Sequence, residues 1–294
     1  MTNNSISTDL CFFTSDLHGC TGRYQKLFDA ILKEKPSAVF LGGDLLPSGL
    51  SALTSNDSLP EDFINGFLVP AFMEIKSNLG KAYPRVFLIL GNDDGWYSEE
   101  EILNAESKGI WEYINEKRTA FGKFEIIGYA YVPPTPFLLK DWERYDVSRF
   151  VDPGCIPPEE GWRSNPVAKN IIAHATIQED LARLTQNIDL SKSILLFHTP
   201  PYQTRLDRAQ LDGKLVDHVP VDVHVGSIAV KRLIETRNPL ITLHGHIHES
   251  ARITGSWREN IGLTQSFSGA HDGPELALIR FNPDFPDKAS RELI

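Results

Sequence analysis

Phe40-Leu41-Gly42-Gly43-Asp44, closing the apolar run that begins at Ala38, is the stretch on which the fold turns. The run is of the buried-strand type and stops at two glycines and a carboxylate. Glycine has no Cβ, so the backbone can leave a strand sharply there. The carboxylate is then left at the strand's carboxyl end, where open α/β sheets place their ligands. Gly-Gly-Asp alone is a common turn composition and decides nothing. Four other strand ends give it weight: Asp16-Leu17-His18, Gly91-Asn92-Asp93-Asp94, His198 and Gly245-His246-Ile247-His248. Together they predict that Asp44 bridges two metal ions, with the other four segments supplying the remaining ligands.

Outward from that stretch, apolar runs predict strands over 10–14, 86–90, 193–197 and 240–243. Asp16 and His18, two apart, can face one point if the chain is extended, because strand side chains alternate. Tyr24, Leu27, Phe28, Ile31 and Leu32 form a helical stripe within 21–33. A second helix is expected over 61–78, kinked or broken at Pro70. Further helices are expected over 166–187 and, capped by Ser227, over 228–237. Three units of strand, ligand and helix in the first hundred residues predict an α/β core with parallel strands. Residues 122–132 read as another strand beside that core. Runs at 251–253 and 276–281 suggest a second, more antiparallel sheet. Polar loops are expected over 47–60 and 202–225. The proline-rich stretch 132–166, with Trp142 and Trp162, shows no periodicity and reads as a lid or rim with its aromatics packed down. The whole of 1–294 reads as one domain carrying that insertion.

Composition narrows the function. The chain has 294 residues, 41% of them hydrophobic and 23% charged, which is ordinary for a globular protein. Its formal net charge of −10 disfavours nucleic acid and anionic membranes as partners. Part of that acidity would be carboxylates held against metal. Cys11, Cys20 and Cys155 are odd in number and form no CxxC, so reduced thiols of a cytoplasmic protein are expected. Residues 1–10 carry no basic residue and no apolar core of signal length. No apolar stretch approaches the ~20 residues of a membrane span. Oligomeric state is not readable.

The candidate ligands are Asp, His and Asn, a donor set suited to Mn, Fe or Zn rather than to a thiolate site. A lone strand-end His, or Asn-Asp after Gly, has an ordinary structural reading; all five segments in this order do not. Asp16-x-His18, Gly43-Asp44, Gly91-Asn92-x-Asp94, His198 and Gly245-His246-x-His248 resemble the calcineurin-like metallophosphoesterases, and the match spans nearly the whole chain. His224-Val225-Gly226-Ser227 and the run from Gly245 to Ser250 are similar to a small prokaryotic-type branch of them. The resemblance implies a four-layer α/β fold, two facing mixed β-sheets flanked by helices. It also implies two divalent or mixed-valence metal ions. One would be held by Asp16, His18, Asp44 and His248, the other by Asp44, Asn92, His198 and His246. Two such ions ~3.5–4 Å apart clamp the oxygens of an in-line displacement and acidify a bridging water to the attacking hydroxide.

One position departs from the family. The family usually has Gly-Asn-His, whose His binds phosphate and protonates the leaving oxygen; here Asp93 stands instead. An ordinary Asp has a pKa of about 3.9, and metal nearby should lower it, so Asp93 is expected to be anionic and a poor acid. That favours good leaving groups or another proton donor, with His224 and His218 the candidates. An anionic Asp93 would also repel a monoester dianion more than a diester monoanion. The expected activity is therefore hydrolysis of a small phosphodiester. Phosphomonoester hydrolysis is the alternative among enzymes, and a catalytically weak metal-binding scaffold the alternative outside them. Arg205 and Arg208 could contact phosphate or lie on a solvated loop. His244, on the alternation of His246 and His248, reads as a residue behind the ligands. His271 is a weak candidate, and His174 reads as structural.

Overall fold

The computed structural model describes residues 10–48, 60 and 62–294. The expected loop over 47–60 and the stretch before Leu10 lie almost wholly outside them. Two six-stranded mixed sheets form the core. In the first, β1 (Cys11–Thr14), β2 (Ala38–Gly42), β3 (Arg85–Ile89) and β4 (Glu112–Tyr113) run parallel. β13 (Ala277–Phe281) and β14 (Ser290–Leu293) add to it antiparallel beside β1. In the second sheet, β6 (Phe124–Tyr129), β7 (Ser193–Phe197), β10 (Ile241–His244) and β12 (Thr264–Ser268) are parallel. Its antiparallel edges are β5 (Arg118–Phe121) and β11 (Arg258–Ile261). A small hairpin, β8 (Leu215–Val216) and β9 (Val219–Pro220), stands apart.

Three expectations are corrected here. The second sheet is parallel through its centre rather than antiparallel. Residues 276–281 belong to the first sheet, and 251–253 fall in a helical turn. The strand expected over 122–132 beside the core is part of it, as β6, paired with β7 and with the edge strand β5 of the second sheet.

β1, β2 and β3 are apolar on both faces because both faces are covered. Phe40 stacks on Phe87 with ring centroids 5.2 Å apart. Phe87 meets Phe121, and Phe281 meets Phe267, at 5.9 and 6.1 Å. The last two contacts cross from one sheet to the other, so an aromatic layer joins them.

α1 (Thr21–Glu34) buries Tyr24, Leu27, Phe28 and Ile31, the stripe its periodicity predicts. The helix expected over 61–78 is a π-helical turn, Ile64–Leu68, running into α2 (Val69–Leu79). Pro70 has no N–H to give the carbonyl four residues back, and its ring crowds that carbonyl, so the α ladder cannot continue through it. α3 (Glu99–Ser107) follows β3. The helix expected over 166–187 is two, α4 (Lys169–His174) and α5 (Ile177–Leu184). They part at Ala175–Thr176, where the Thr176 side chain accepts the Glu179 N–H and starts α5 afresh. α6 (Ile228–Arg237) is capped by Ser227 as expected, and α7 (Ser250–Thr254) follows β10.

Residues 132–166 are irregular but tightly tied. The Trp142 indole donates to the Asp94 carbonyl at 2.8 Å. Asp141 accepts from the Trp96 N–H at 2.7 Å and from Ser164. Lys140 and Glu143, both wholly buried, pair at 2.6 Å, with Thr135 closing the network. Trp142 is packed down as expected, but Trp162 is 58% exposed.

Candidate metal centre

All five ligand-type segments leave the carboxyl ends of strands: β1, β2 and β3 of the first sheet, β7 and β10 of the second. Hydrogen bonds hold those ends together. Asp16 N–H donates to the Gly43 carbonyl at 3.0 Å and His18 N–H to the Asp44 carbonyl at 2.8 Å. Gly245 N–H donates to the His198 carbonyl at 2.9 Å. Two links cross between sheets: His198 Nδ1 to the Gly42 carbonyl at 2.8 Å, and His246 N–H to Asp16 Oδ1 at 2.9 Å.

The side chains do not converge through strand alternation. Asp16, His18, Asp44 and His246 have φ values of 59°, 46°, 52° and 73°. This left-handed backbone costs a non-glycine residue roughly 1–3 kcal/mol and persists where surrounding structure imposes it. The turns carry the ligands inward, which an extended Asp-x-His would not do. Space is equally tight. A Cβ on Gly245 would lie 2.0 Å from Ser15 Oγ and 2.7 Å from Asp16 Oδ2; one on Gly91 would lie 2.3 Å from Asp44 Oδ1.

Two groups result. Asp16, His18, Asp44 and His248 each offer an atom within 4.8 Å of the others, and so do Asp44, His198 and His246. Asp44 is common to both. Asn92 joins the second group, its Oδ1 3.1 Å from His198 Nε2, which is itself 3.2 Å from Asp44 Oδ2. His18 Nε2 and His248 Nε2 face each other at 3.1 Å. All seven expected metal ligands are thus brought to one place.

The electrostatics match a site built for cations. Asp16 Oδ2 is buried and has no hydrogen-bond partner. Burial would raise the Asp44 carboxyl, but His198 and His18 hold it well below the usual carboxylate range. Burial would lower His198, but Asp44 outweighs it and raises the imidazole to about 10. His248 rises to about 9 through Asp16 against the same burial, and burial takes His246 down to about 3. The raised imidazoles reflect how strongly the carboxylates of Asp44 and Asp16 favour positive charge beside them. The donors, three oxygen-bearing residues and four imidazoles around a shared carboxylate and an orphaned oxygen, fit a pair of borderline metal ions.

The polypeptide alone pushes the Asp93 carboxyl up to about 7, through burial and then the Asp44 charge, opposite in sign to the lowering expected of a nearby cation. Its N–H donates to Asp44 Oδ1 at 2.8 Å, and its Oδ2 lies 3.6 Å from His18 Nδ1. Asp93 thus stands behind a ligand-type His, on the ring nitrogen opposite the cluster.

His224 is not in the cluster. Its Nδ1 lies 2.8 Å from Oδ1 of Asp207, which is wholly buried and also accepts N–H bonds from Gln203, Thr204 and Gly226. His218 is exposed in the β8–β9 turn. Arg208 is engaged by Asp212 and the Ala209 carbonyl. The Arg205 N–H is taken by Glu259. His244 is buried between the Thr199 carbonyl and Thr242 Oγ1, behind the ligands as expected. His271 pairs with Glu275, and Cys20 is a free exposed thiol outside both groups.

Sequence reasoning missed two carboxylates. Asp94 is wholly buried and accepts from the Gly91, Leu45 and Leu46 N–H groups at 2.8–3.1 Å, clamping the Asp44 loop to the Asn92 loop. Its place in Gly-Asn-x-Asp was visible, its job was not. Asp207 lies in a polar loop with no local signal at all.

The profile described as calcineurin-like phosphoesterase matches residues 11–250. No curated protein matches the chain in sequence. Among solved structures, one is 16% identical with a TM-score of 0.59, covering 97% of this chain and 98% of its own. The crystal structure of TT1561 of Thermus thermophilus is 18% identical with a TM-score of 0.54, covering 98% of this chain and 99% of its own. A dimetal phosphatase from Danio rerio is 11% identical with a TM-score of 0.51, covering 93% of this chain and 92% of its own. At these identities the likeness is one of fold.

Proposed function

Since the chain belongs to the calcineurin-like phosphoesterase family, we propose that it hydrolyses a small phosphodiester at a dinuclear metal centre. Asp16, His18, Asp44 and His248 hold one ion, and Asp44, Asn92, His198 and His246 hold the other. Mn, Fe and Zn fit the donors. The observation that carries the reading is the pair of ligand groups sharing Asp44. When bound, the ions supply a nucleophilic water at neutral pH and a clamp on the phosphoryl oxygens.

The chain's own residues do the rest. The Gly42 carbonyl fixes the His198 ring by accepting from Nδ1, leaving Nε2 for the ion. Asp93 orients His18 from the far side. His224 protonates the leaving alcohol, with Asp207 holding Nδ1 and leaving Nε2 to work. Among the described residues no Lys or Arg pairs with a ligand carboxylate, and Arg23 is turned to the Asp16 and Gly273 carbonyls. A diester monoanion needs less countercharge than a monoester dianion, so the diester fits better. We read 1–294 as one domain with 132–166 as its rim, and its unpaired thiols as those of a cytoplasmic protein.

The test is metal-reconstituted protein assayed on bis(p-nitrophenyl) phosphate and p-nitrophenyl phosphate. Metal-dependent turnover should favour the diester, and Asp44→Asn should lower it at least ~100-fold with loss of bound metal by elemental analysis. Absence of metal-dependent turnover on both esters, with both ions bound, leaves a metal-binding scaffold instead.

A further inference from the structure

A cavity of about 480 Å³ is lined by none of the candidate ligands. Its walls are mostly apolar, with Pro133, Pro134, Phe150, Leu211 and Val216 prominent. The size suits a drug-sized organic group, and few precisely held polar groups among apolar walls is the usual composition of such a site. Its polar members are held firmly. Tyr202 OH donates to Asp222 Oδ2 at 2.6 Å, and His224 is fixed by Asp207.

The cavity is tied to the centre by the chain itself. Tyr202 lies four residues after His198, so the two Cα atoms are within about 14 Å. The Ser227 N–H donates to the Pro200 carbonyl at 2.9 Å, fixing the far wall to the same loop. Pro133 lies four residues after Tyr129, whose carbonyl accepts the His198 N–H at 3.3 Å. Both walls therefore spring from the strand ends of β6 and β7. Asp146, Asp152 and Asp222 line the cavity against the single cation of Lys214, so a second anionic group is disfavoured there.

We infer that this cavity takes the organic group of the ester, a bulky apolar alcohol that is uncharged or cationic. This rests on the phosphoesterase reading and names its substrate class. It also places His224 on the wall against which that alcohol lies.

Two methyl diesters with leaving alcohols of like acidity test it, read by alcohol release: 2-phenylethyl methyl phosphate and ethyl methyl phosphate. Wild type should prefer the phenylethyl ester by about tenfold or more in kcat/KM. Val216→Trp and, on another wall, Leu211→Trp should each bring that ratio towards one. A ratio unchanged in both variants overturns the assignment. A readout independent of turnover uses metal-stripped protein and the neutral fluorophore N-phenylnaphthylamine. One equivalent should bind wild type and bind at least about tenfold more weakly to either variant. Probe binding lost in the variants, with neither diester hydrolysed by loaded wild type, sinks the phosphoesterase reading and keeps the pocket. Hydrolysis with an unchanged ratio and unchanged probe binding sinks the pocket alone.

Discussion

Asp16, His18, Asp44 and His246 were recognisable as residue types, but the backbone that aims them was not. Alternation along an extended strand would have put Asp16 and His18 on one side for free. The chain instead uses left-handed turns at four of the ligand-type positions, and a sequence does not announce a positive φ on Asp or His as it does on Gly. Asp93 was visible as a departure, whereas its reduced tendency to ionise depends on burial and on Asp44, which come from distant chain. At this scale the sharpest expectation concerns His224. His224→Gln removes the proposed proton donor while keeping an amide near Asp207. Turnover of a diester with an alkoxide leaving group should fall about 100-fold, and turnover with p-nitrophenolate should fall only about threefold or less. Equal losses on both would show that His224 does not donate to the leaving oxygen.

Elements were read best where local chemistry marks both ends. β7 runs from Ser193 to the residue before His198-Thr199-Pro200, and α6 starts at its Ser227 cap; both have the expected bounds. Elements defined by distant partners were read worse. Residues 276–281 pair with β1, more than two hundred residues away in sequence, and nothing local chooses that sheet over the other. Ala251-Arg252-Ile253 looked like a strand because three residues cannot separate a period of 2 from one of 3.6. The irregular stretch 132–166 has no period because side chains, not ladders, order it. Trp142→Phe should keep the packing and lose the bond to the Asp94 carbonyl. The expected cost is about 1 kcal/mol in a denaturant melt. The loop carrying Asn92 should loosen with it, seen as faster amide exchange over 91–96. No change in either would mean that the rim does not brace that loop.

Over the whole molecule, two sheets are joined by an aromatic layer within and by polar links at one end. The left-handed turns clustered at that end oppose folding, and a cation that binds only the assembled ligands favours the folded state. Metal should therefore stabilise the folded chain beyond its effect on activity. At a hundredfold excess over Kd each ion contributes about 2.7 kcal/mol, so Tm should rise on loading and fall on chelation. Asp44→Asn should abolish most of that rise, because Asp44 sits in both groups. A Tm indifferent to metal would argue that the cluster holds no ion.

The sharing of the centre between sheets also has a consequence for biosynthesis. Asp16, Asp44 and Asn92 emerge from the ribosome within the first third of the chain, whereas His198, His246 and His248 follow more than a hundred residues later. On the proposed ligand assignment, a product ending before His198 can build neither group in full, and metal-dependent turnover is expected only of chains translated at least as far as His248.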